Sequence, residues 1–237
     1  MSILFSPAVL GAGAALLLGI AAPLLHQRLA LIAAGRRSAA ARAARLAPLR
    51  DLKAAIVGRR GEAAVAAALD DYGCPALHDL LLRDERGLTQ IDHVALAPGR
   101  ILVIETKTLR GVVRGALDDR EWVQTAGTQR IRFQNPLRQN YRHVRAVART
   151  VADPGIPVRG YVVSAGPAQF AGELVNAVVP LDQVASLFAC GGSIDRTRLE
   201  AAWQRLCGAG SEAPFRRWEH EAQVTMRAGR AAPRRLS

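Results

Sequence analysis

The sequence predicts an α/β protein in which a mixed β-sheet is flanked by helices and preceded by one transmembrane helix. Three observations support this fold class. No Asp, Glu, Lys or Arg occurs before Arg28. Short apolar runs separated by turn residues then follow in hairpin order. A helical repeat of valines separates these runs from one further apolar run, which is typical of a strand reached by a crossover.

Residues 1–35 are predicted to be an N-terminal membrane anchor. The stretch from Ile3 to Leu25 is apolar over the roughly 20 residues that a bilayer core requires. All cations follow it, so the positive-inside rule places the remaining chain in the cytoplasm and the protein in the plasma or cell inner membrane as a single-pass protein. A cleaved signal peptide is the alternative, but Met1 to Pro7 contains no basic side chain.

The remaining chain is strongly basic. The formal net charge is +12, and of the 32 Lys and Arg residues only Lys53 and Lys107 are lysines. Such an excess favours polyanions, either nucleic acid or an anionic membrane surface. Residues 36–56 are rich in Ala and Arg, which suits a basic helical stalk close to lipid headgroups. A solvated linker and a nucleic-acid-contacting arm are the alternatives.

The three cysteines indicate neither a disulfide framework nor a zinc site. Cys74, Cys190 and Cys207 are an odd number at wide spacings, without a C-x-x-C pair or a Cys/His cluster. Their expected role is that of small apolar residues in a reduced compartment.

A domain over residues 57–207 is expected to begin with a helix and a hairpin. Gly61 to Tyr72 has helical spacing and ends at Gly73. The turn Pro98-Gly99 separates two of the following strands. The predicted strands are Ala76–Leu82, Thr89–Ala97 and Arg100–Lys107.

The second half of this domain has weaker signals, apart from one helix. Asn135 is a good N-cap and Pro136 a good first helical residue, and valines then recur at helical spacing to about Ala152. Residues 208–237 are polar and arginine-rich, and are predicted to be a poorly ordered tail. The other predicted segments are short β segments at 111–115 and 121–124, strands Val158–Ser164 and Val175–Val179, and helices Asp182–Ala189 and Ile194–Cys207.

Asp92, Glu105 and Lys107 form the candidate catalytic group. Strand alternation places Glu105 and Lys107 on one face of their strand. Asp92 lies 13 positions before Glu105, across the Pro98-Gly99 turn, so antiparallel pairing brings the two carboxylates together. Two or three oxygen ligands with water suit Mg²⁺, or Mn²⁺, which could act on a phosphate. Lys107 could then orient the attacking water or offset charge on phosphorus.

A solvated surface cluster or an ordinary salt bridge is the alternative reading of these three residues. Two features favour catalysis. The apolar run Ile101 to Ile104 ends abruptly in charge, and Lys107 is a lysine in a chain that otherwise uses arginine. An ammonium can titrate near neutral pH when its surroundings shift it, whereas a guanidinium cannot.

A series of short motifs between Val57 and Val163 resembles the nuclease-related domain, NERD. Each motif is weak alone, but their order is specific. The departure from the older nuclease pattern is Ile91, where a proline precedes the aspartate in that pattern. The motifs are Gly58-Arg-Arg-Gly61-Glu62, Thr89-Gln-Ile-Asp92-His93, Ile104-Glu-Thr-Lys107, Gly111, Trp122 and Asn135-Pro-Leu-Arg-Gln139.

The resemblance implies a restriction-endonuclease-like fold of the PD-(D/E)xK type. Asp92 and Glu105 would be metal carboxylates, Lys107 the lysine, and Glu62 a helix-borne acid and third metal ligand. Gln139 would face the same cleft and touch a phosphate, with helix packing as its alternative. His93 points to the opposite sheet face and is expected to be structural.

Trp122 and Tyr141 are aromatic residues that could either pack or bind. Trp122 is expected to pack in a core or hairpin, while Tyr141 is undecided between packing and binding. No G-x-x-x-x-G-K-[ST] motif occurs, so no nucleotide cofactor is expected. The oligomeric state is left open.

Three functions compete at this stage. The first is a membrane-anchored, Mg²⁺-dependent nuclease that acts on DNA, with RNA as the second choice and with largely nonspecific, salt-sensitive binding. The second is a non-catalytic membrane-bound module for nucleic-acid binding or assembly. The third is a lipid-surface scaffold, which has no reason to bring Asp92, Glu105 and Lys107 into register.

Overall fold

The computed structural model of the protein describes residues 46–189 and 191–211. The chain divides into two compact units, 1–55 and 56–237. Of the first unit, residues 46–55 are helical with exposed side chains, while the predicted transmembrane helix and residues 36–45 of the stalk lie outside the described residues. Among the described helices, none has the length and apolar character needed to cross a membrane.

The second unit has the mixed α/β architecture that the sequence predicts. Its first helical residues, 56–71, are called α1, and they end before a turn at Gly73. The remaining elements are β1 (Ala76–Asp84), β2 (Gly87–Ala97), β3 (Arg100–Lys107), β4 (Val112–Arg114), β5 (Glu121–Ala126), β6 (Gln129–Gln134), α2 (Pro136–Val151), β7 (Val158–Ser164), β8 (Gln169–Phe170), α3 (Leu174–Ala177), β9 (Val178–Pro180), a 3-10 helix (Leu181–Phe188) and α4 (Arg196–Ser211).

The larger sheet has the strand order β1-β2-β3-β7-β9. The first three strands are antiparallel neighbours, and β2 and β3 meet at the predicted turn, where Gly99 has φ +69°. Helix α2 provides the crossover that lets β7 pair with β3 in parallel. The predictions of a hairpin at Pro98-Gly99 and of a strand reached by a helical crossover are therefore confirmed.

Successive residues of β3 show how helices cover both faces of this sheet. Ile101 and Val103 belong to an apolar cluster that includes residues of α2 and α4. Leu102 and Ile104 belong to a second cluster, with residues of α1 and the 3-10 helix. Because neighbouring strand residues point to opposite faces, β3 is covered by helices on both sides.

A smaller sheet with the order β6-β5-β4-β8 carries Trp122 at its core. Trp122 is fully buried, and its indole N–H donates to the carbonyl oxygen of Ala116 over 2.9 Å. Its predicted packing role is confirmed. Strands β6 and β8 were not predicted, because β6 is polar and largely exposed and β8 has only two residues.

Three predictions for the C-terminal part differ from the structure. The strand predicted at Val175–Val179 is right only for Val178 and Val179, which belong to β9, because residues 174–177 form the short helix α3. The helix predicted at Asp182–Ala189 is a 3-10 helix. The last helix extends to Ser211, beyond the predicted boundary at residue 207, because Ala209 still packs against the core. Residues 212–237 lie outside the described part.

Candidate functional site

Helix α1 reaches the end of β3 because Gly61 has no side chain. A Cβ at Gly61 would lie 1.9 Å from the Thr108 hydroxyl oxygen and 3.2 Å from the Ala165 Cβ. This close approach brings the next residue, Glu62, near the charges of Glu105 and Lys107. Burial raises the pKa of Glu62, and the negative charges of Asp79 and Glu105 raise it further. Glu62 therefore lies in an environment that disfavours its charged form.

Asp92 lies where the β2–β3 ladder ends. The last paired residues are His93 and Ile104, and the carboxylate of Asp92 accepts a hydrogen bond of 2.7 Å from the backbone N–H of Thr106. Burial raises the pKa of Asp92 to about 7, with a further contribution from Glu105, which outweighs the Thr106 hydrogen bond. Because Thr106 follows Glu105 directly, this hydrogen bond places Asp92 beside the end of β3, as the predicted hairpin requires.

Glu105 and Lys107 are in direct contact. The Lys107 ammonium donates to Glu105 Oε1 over 2.5 Å and to Gln139 Oε1 over 3.2 Å. Glu105 is 1% exposed. Burial alone would raise its pKa, but the neighbouring His143 and Lys107 outweigh that effect and hold the pKa of Glu105 below its usual value. Lys107 therefore links the strand that carries Glu105 to helix α2.

His143 also belongs to this group, although it was not predicted from the sequence. Its Nδ1 lies 3.3 Å from Glu105 Oε2. The alignment is not that of a hydrogen bond, so both atoms are buried without a hydrogen-bond partner among the described residues. His143 follows Gln139 by four residues, which places both on one face of a helix. This four-residue spacing was the sequence pattern from which the position of His143 beside Gln139 could have been predicted.

Helix α2 is held on the sheet by Asn140. Its side-chain amide donates to the carbonyl oxygens of Val103 on β3, at 3.1 Å, and Tyr161 on β7, at 2.9 Å. The helix can come this close because Gly160 has no side chain: a Cβ there would lie 2.7 Å from Val144 and 3.0 Å from the Asn140 amide. Asn140 thereby fixes the helix face that carries Gln139.

The N-terminus of α2 confirms the predicted capping. The side chain of Asn135 accepts a 2.9 Å hydrogen bond from the Leu137 N–H, and Pro136 begins the helix. The same side chain donates to the carbonyl oxygens of Leu117 and Asp119. The cap therefore also joins α2 to the turn that precedes β5.

These residues surround an open cleft of about 310 Å³. Glu62, Asp92 and Gln139 line it, and Glu105 and Lys107 adjoin it through their contacts with His143 and Gln139. All five residues proposed from the sequence are thus brought together at one place. The remaining lining residues are Leu88, Thr89, Gln90, Gln134, Arg142 and His143.

His93 does not line this cleft. Its ring nitrogen Nδ1 lies 2.8 Å from Nδ1 of His78. Burial and the neighbouring His78 lower the pKa of His93 to about 4. A neutral, buried histidine of this kind agrees with the structural role expected for it.

The acidic side chains do not form a preassembled metal centre. In the described ranges, no group of three or more His, Cys, Asp or Glu side chains is arranged to hold a metal ion. Two features of the donor set nevertheless match a hard cation. Glu105 Oε2 is a buried acceptor without a hydrogen-bond donor, and Asp92 interacts unfavourably with Glu105. A divalent cation between these carboxylates would relieve both conditions.

Comparison with known proteins identifies the class of domain to which this site belongs. Residues 57–165 match the nuclease-related domain family, so the chain contains a NERD domain over that range. An uncharacterised protein of Bacillus anthracis is 35% identical over 94 residues, which cover 38% of this chain and 44% of that protein. The chain thus spans less than half of the length of this curated relative. The matched range includes the five candidate residues and His143.

Proposed function

We propose that this protein is a membrane-anchored nuclease that cleaves phosphodiester bonds of DNA, using a restriction-endonuclease-like site of the PD-(D/E)xK type. The observation that carries this proposal is the Lys107 ammonium, which contacts both the buried Glu105 carboxylate and Gln139 beside a cleft lined by Asp92 and Glu62. A cation beside converging carboxylates suits the transfer of a phosphoryl group. The NERD domain over residues 57–165 supports the same nuclease-related function.

The proposed metal ligands are Asp92 and Glu105, with Glu62 as a third carboxylate. Mg²⁺ commonly binds through one or two protein carboxylates and keeps several waters, so a complete three-residue cage is not required. The chemistry that Mg²⁺ or Mn²⁺ supplies when bound is polarisation of the phosphate and a lowered pKa of the attacking water.

The protein side chains have separate roles in this proposal. Glu105 accepts a hydrogen bond from the Lys107 ammonium, so its carboxylate is oriented before substrate arrives. Lys107 donates a hydrogen bond that would orient the attacking water or offset the charge that develops on phosphorus. Gln139 keeps the ammonium in place and lies at the cleft wall, where its amide can reach a phosphate oxygen.

The membrane part of the proposal is supported by the sequence. An uncharged apolar stretch from Ile3 to Leu25 precedes all the cations, which favours an anchor in the plasma or cell inner membrane with the nuclease domain in the cytoplasm. Fractionation of cells tests membrane association. Protease access to a C-terminal tag in intact cells and in lysed cells tests the orientation. Digestion of the tag in intact cells would contradict a cytoplasmic nuclease domain.

The nuclease activity is tested with the full chain in detergent. Plasmid, linear duplex and single-stranded DNA are incubated with Mg²⁺ or EDTA, and the products are separated on gels. Asp92→Ala and Lys107→Ala are expected to reduce Mg²⁺-dependent cleavage at least 100-fold. Lys53→Ala removes the only other lysine, and Asp182→Ala removes an exposed acid away from the cleft. Both control variants are expected to cleave like the unmodified protein.

The non-catalytic alternative is a defined outcome of this experiment. If the unmodified protein cuts nothing that the Asp92 and Lys107 variants leave intact, the nuclease proposal fails. DNA binding that persists in that case, and weakens with salt, would support a membrane-bound nucleic-acid-binding or assembly module.

A further inference from the structure

A second concave surface opens beside the candidate site. It is a groove of about 710 Å³ whose lining contains four arginines and no Asp or Glu, and we call it the arginine groove. Gln134 and Arg142 line both this groove and the cleft that contains Asp92. The two surfaces are therefore continuous. The groove is lined by Arg86, Leu117, Arg120, Gln134, Leu137, Arg138, Tyr141 and Arg142.

The positive charge of this groove is only partly neutralised by the protein. Arg142 is paired with Asp84. Arg138 donates to the backbone carbonyl oxygen of Asp118 over 3.1 Å, a contact that leaves its positive charge unbalanced. Within the described part of the chain, the Arg120 side chain makes no hydrogen bond or ion pair. The charge available to a ligand is therefore centred on Arg120 and Arg138.

The neighbouring surface of α2 has a different charge balance. Arg145 and Arg149 also lie on this helix, but both contact Glu85, at 2.6 Å and 3.5 Å. Their charge is thus partly offset by the protein itself. Arg120 and Arg138, whose charge no described carboxylate balances by an ion pair, both line the groove that leads into the cleft.

The groove also presents an aromatic ring to solvent. Tyr141 is 63% exposed and Leu117, which also lines the groove, is 43% exposed. Exposed aromatic rings between cations are typical of surfaces that bind unpaired bases, because the base stacks on the ring while the cations contact the backbone phosphates. In a duplex the base faces are covered by neighbouring base pairs. The combination of Tyr141 with Arg120 and Arg138 therefore fits a single strand better than a duplex.

We propose that the arginine groove binds a single-stranded polynucleotide and leads it into the cleft of Asp92 and Glu105. Arg120 and Arg138 contact backbone phosphates, and Tyr141 stacks on a base. Gln134 and Arg142 lie where the strand passes from the groove to the cleft. The inference rests on the proposed nuclease function, to which it adds the substrate class and the path that the substrate follows.

The test measures binding of the full chain in EDTA, where metal-dependent cleavage does not interfere. Fluorescence anisotropy is recorded with labelled oligo-dT and oligo-U of 20 nucleotides and with a 20-base-pair duplex, over a series of salt concentrations. Arg120→Ala and Arg138→Ala are each expected to weaken single-strand binding several-fold and to reduce the salt slope by about 0.7, the value for one phosphate contact. Arg196→Ala, at the start of α4 and outside the groove, removes the same charge and is expected to leave binding unchanged.

Tyr141 separates single-strand binding from general attraction to polyanions. Tyr141→Ala is expected to weaken binding of the single strands roughly 5- to 150-fold, as loss of one stacked base would, with duplex binding and the salt slope unchanged. Tyr141→Phe retains the ring and is expected to restore binding. Comparison of oligo-dT with oligo-U identifies which nucleic acid the groove prefers. Equal loss of duplex and single-strand binding in Tyr141→Ala would overturn the proposal.

Failure of this inference is distinguishable from failure of the nuclease proposal. If Arg120→Ala and Tyr141→Ala bind oligo-dT as tightly as the unmodified protein, the groove is not the binding surface, even if Asp92-dependent cleavage occurs. If those variants lose binding while neither they nor the unmodified protein cleaves DNA, the groove is confirmed as the binding surface and the nuclease proposal fails. Circular dichroism of each variant checks that these exposed substitutions preserve the fold.

Discussion

The carboxylate of Asp92 accepts a 2.7 Å hydrogen bond from the backbone N–H of Thr106. Thr106 stands between Glu105 and Lys107, so this contact fixes Asp92 against the strand that carries the other two residues. A backbone donor favours the charged form of Asp92, but burial and the charge of Glu105 outweigh it and raise the pKa of Asp92 to about 7. The hydrogen bond from Thr106 therefore fixes the position of the Asp92 side chain but does not keep its carboxyl group charged.

Asp92 should make the metal-free protein less stable, relative to Asp92→Asn, as the pH rises from about 4 to about 7. In this range the folded protein keeps a proton on Asp92, whereas the unfolded chain, with an Asp pKa near 3.9, has released it. The free energy of unfolding is expected to fall by about 2 to 4 kcal/mol from this group. Asp92→Asn should remove that decrease, while Asp182→Asn should not. Urea unfolding in EDTA at several pH values measures the free energy of unfolding. If this free energy changed with pH in the same way for the unmodified protein and for Asp92→Asn, the prediction would be contradicted.

Substitution of Lys107 by arginine should abolish cleavage although it preserves the charge. A guanidinium is larger and planar, and it does not reproduce the compact contact of the ammonium with Glu105 and Gln139. We expect cleavage to fall at least 100-fold in Lys107→Arg and Lys107→Ala, measured in single-turnover assays. Lys107→Ala should also lower the free energy of unfolding by about 1 to 3 kcal/mol, because Glu105 loses its closest cation. Unchanged cleavage by Lys107→Arg would exclude a specific role for the ammonium.

Removal of the Asn140 side chain should loosen helix α2. Asn140→Ala deletes two hydrogen bonds to carbonyl oxygens of β3 and β7, and the expected loss in unfolding free energy is about 2 to 3 kcal/mol. Hydrogen exchange should increase along α2 more than along β3. Asn176→Ala, an exposed asparagine on α3, serves as the control and should leave both stability and exchange unchanged. Equal protection of α2 from hydrogen exchange in both variants would contradict the proposal that Asn140 holds this helix on the sheet.

A methyl group at Gly61 should disturb the contact between α1 and the end of β3. Gly61→Ala is expected to cost about 1 to 3 kcal/mol in unfolding free energy, because the added Cβ meets the Thr108 hydroxyl. Thr108→Ala combined with Gly61→Ala should recover most of that loss. Gly58→Ala is a matched control on the same helix, since its added Cβ has no neighbour closer than 3.9 Å, and should be neutral or stabilising. Thermal unfolding of the four proteins measures these effects, and an equal cost at both glycines would refute the packing argument.

The elements around the site follow from local signals in the sequence. Arg100–Lys107 is an apolar run that begins after a turn and ends in charge, so its strand and the side-by-side placement of Glu105 and Lys107 could be derived from periodicity alone. The helix after Asn135 was predictable for a similar reason, because its cap and first residue are strong local determinants.

The parts that could not be predicted depend on contacts between distant segments. Strand β6 is polar and exposed, and its pairing with β5 is not visible in its own sequence. Asn140 has the same local pattern as a surface asparagine, and its buried role appears only when Gly160 allows the helix to approach β7. His143 was accessible in principle through its four-residue spacing from Gln139, but its contact with Glu105 requires α2 to lie against β3.

The parallel pairing of β3 with β7 also sets when the candidate site can form during protein synthesis. Lys107 pairs with Ser164, and the Lys107 carbonyl oxygen accepts a 3.0 Å hydrogen bond from the Ala165 N–H. The acidic residues and Lys107 leave the ribosome well before these partners, as does the first turn of α2. A nascent chain that ends after α2 and before β7 therefore contains every proposed catalytic side chain but lacks the strand that pairs with β3. Premature termination would yield a fragment without an assembled site.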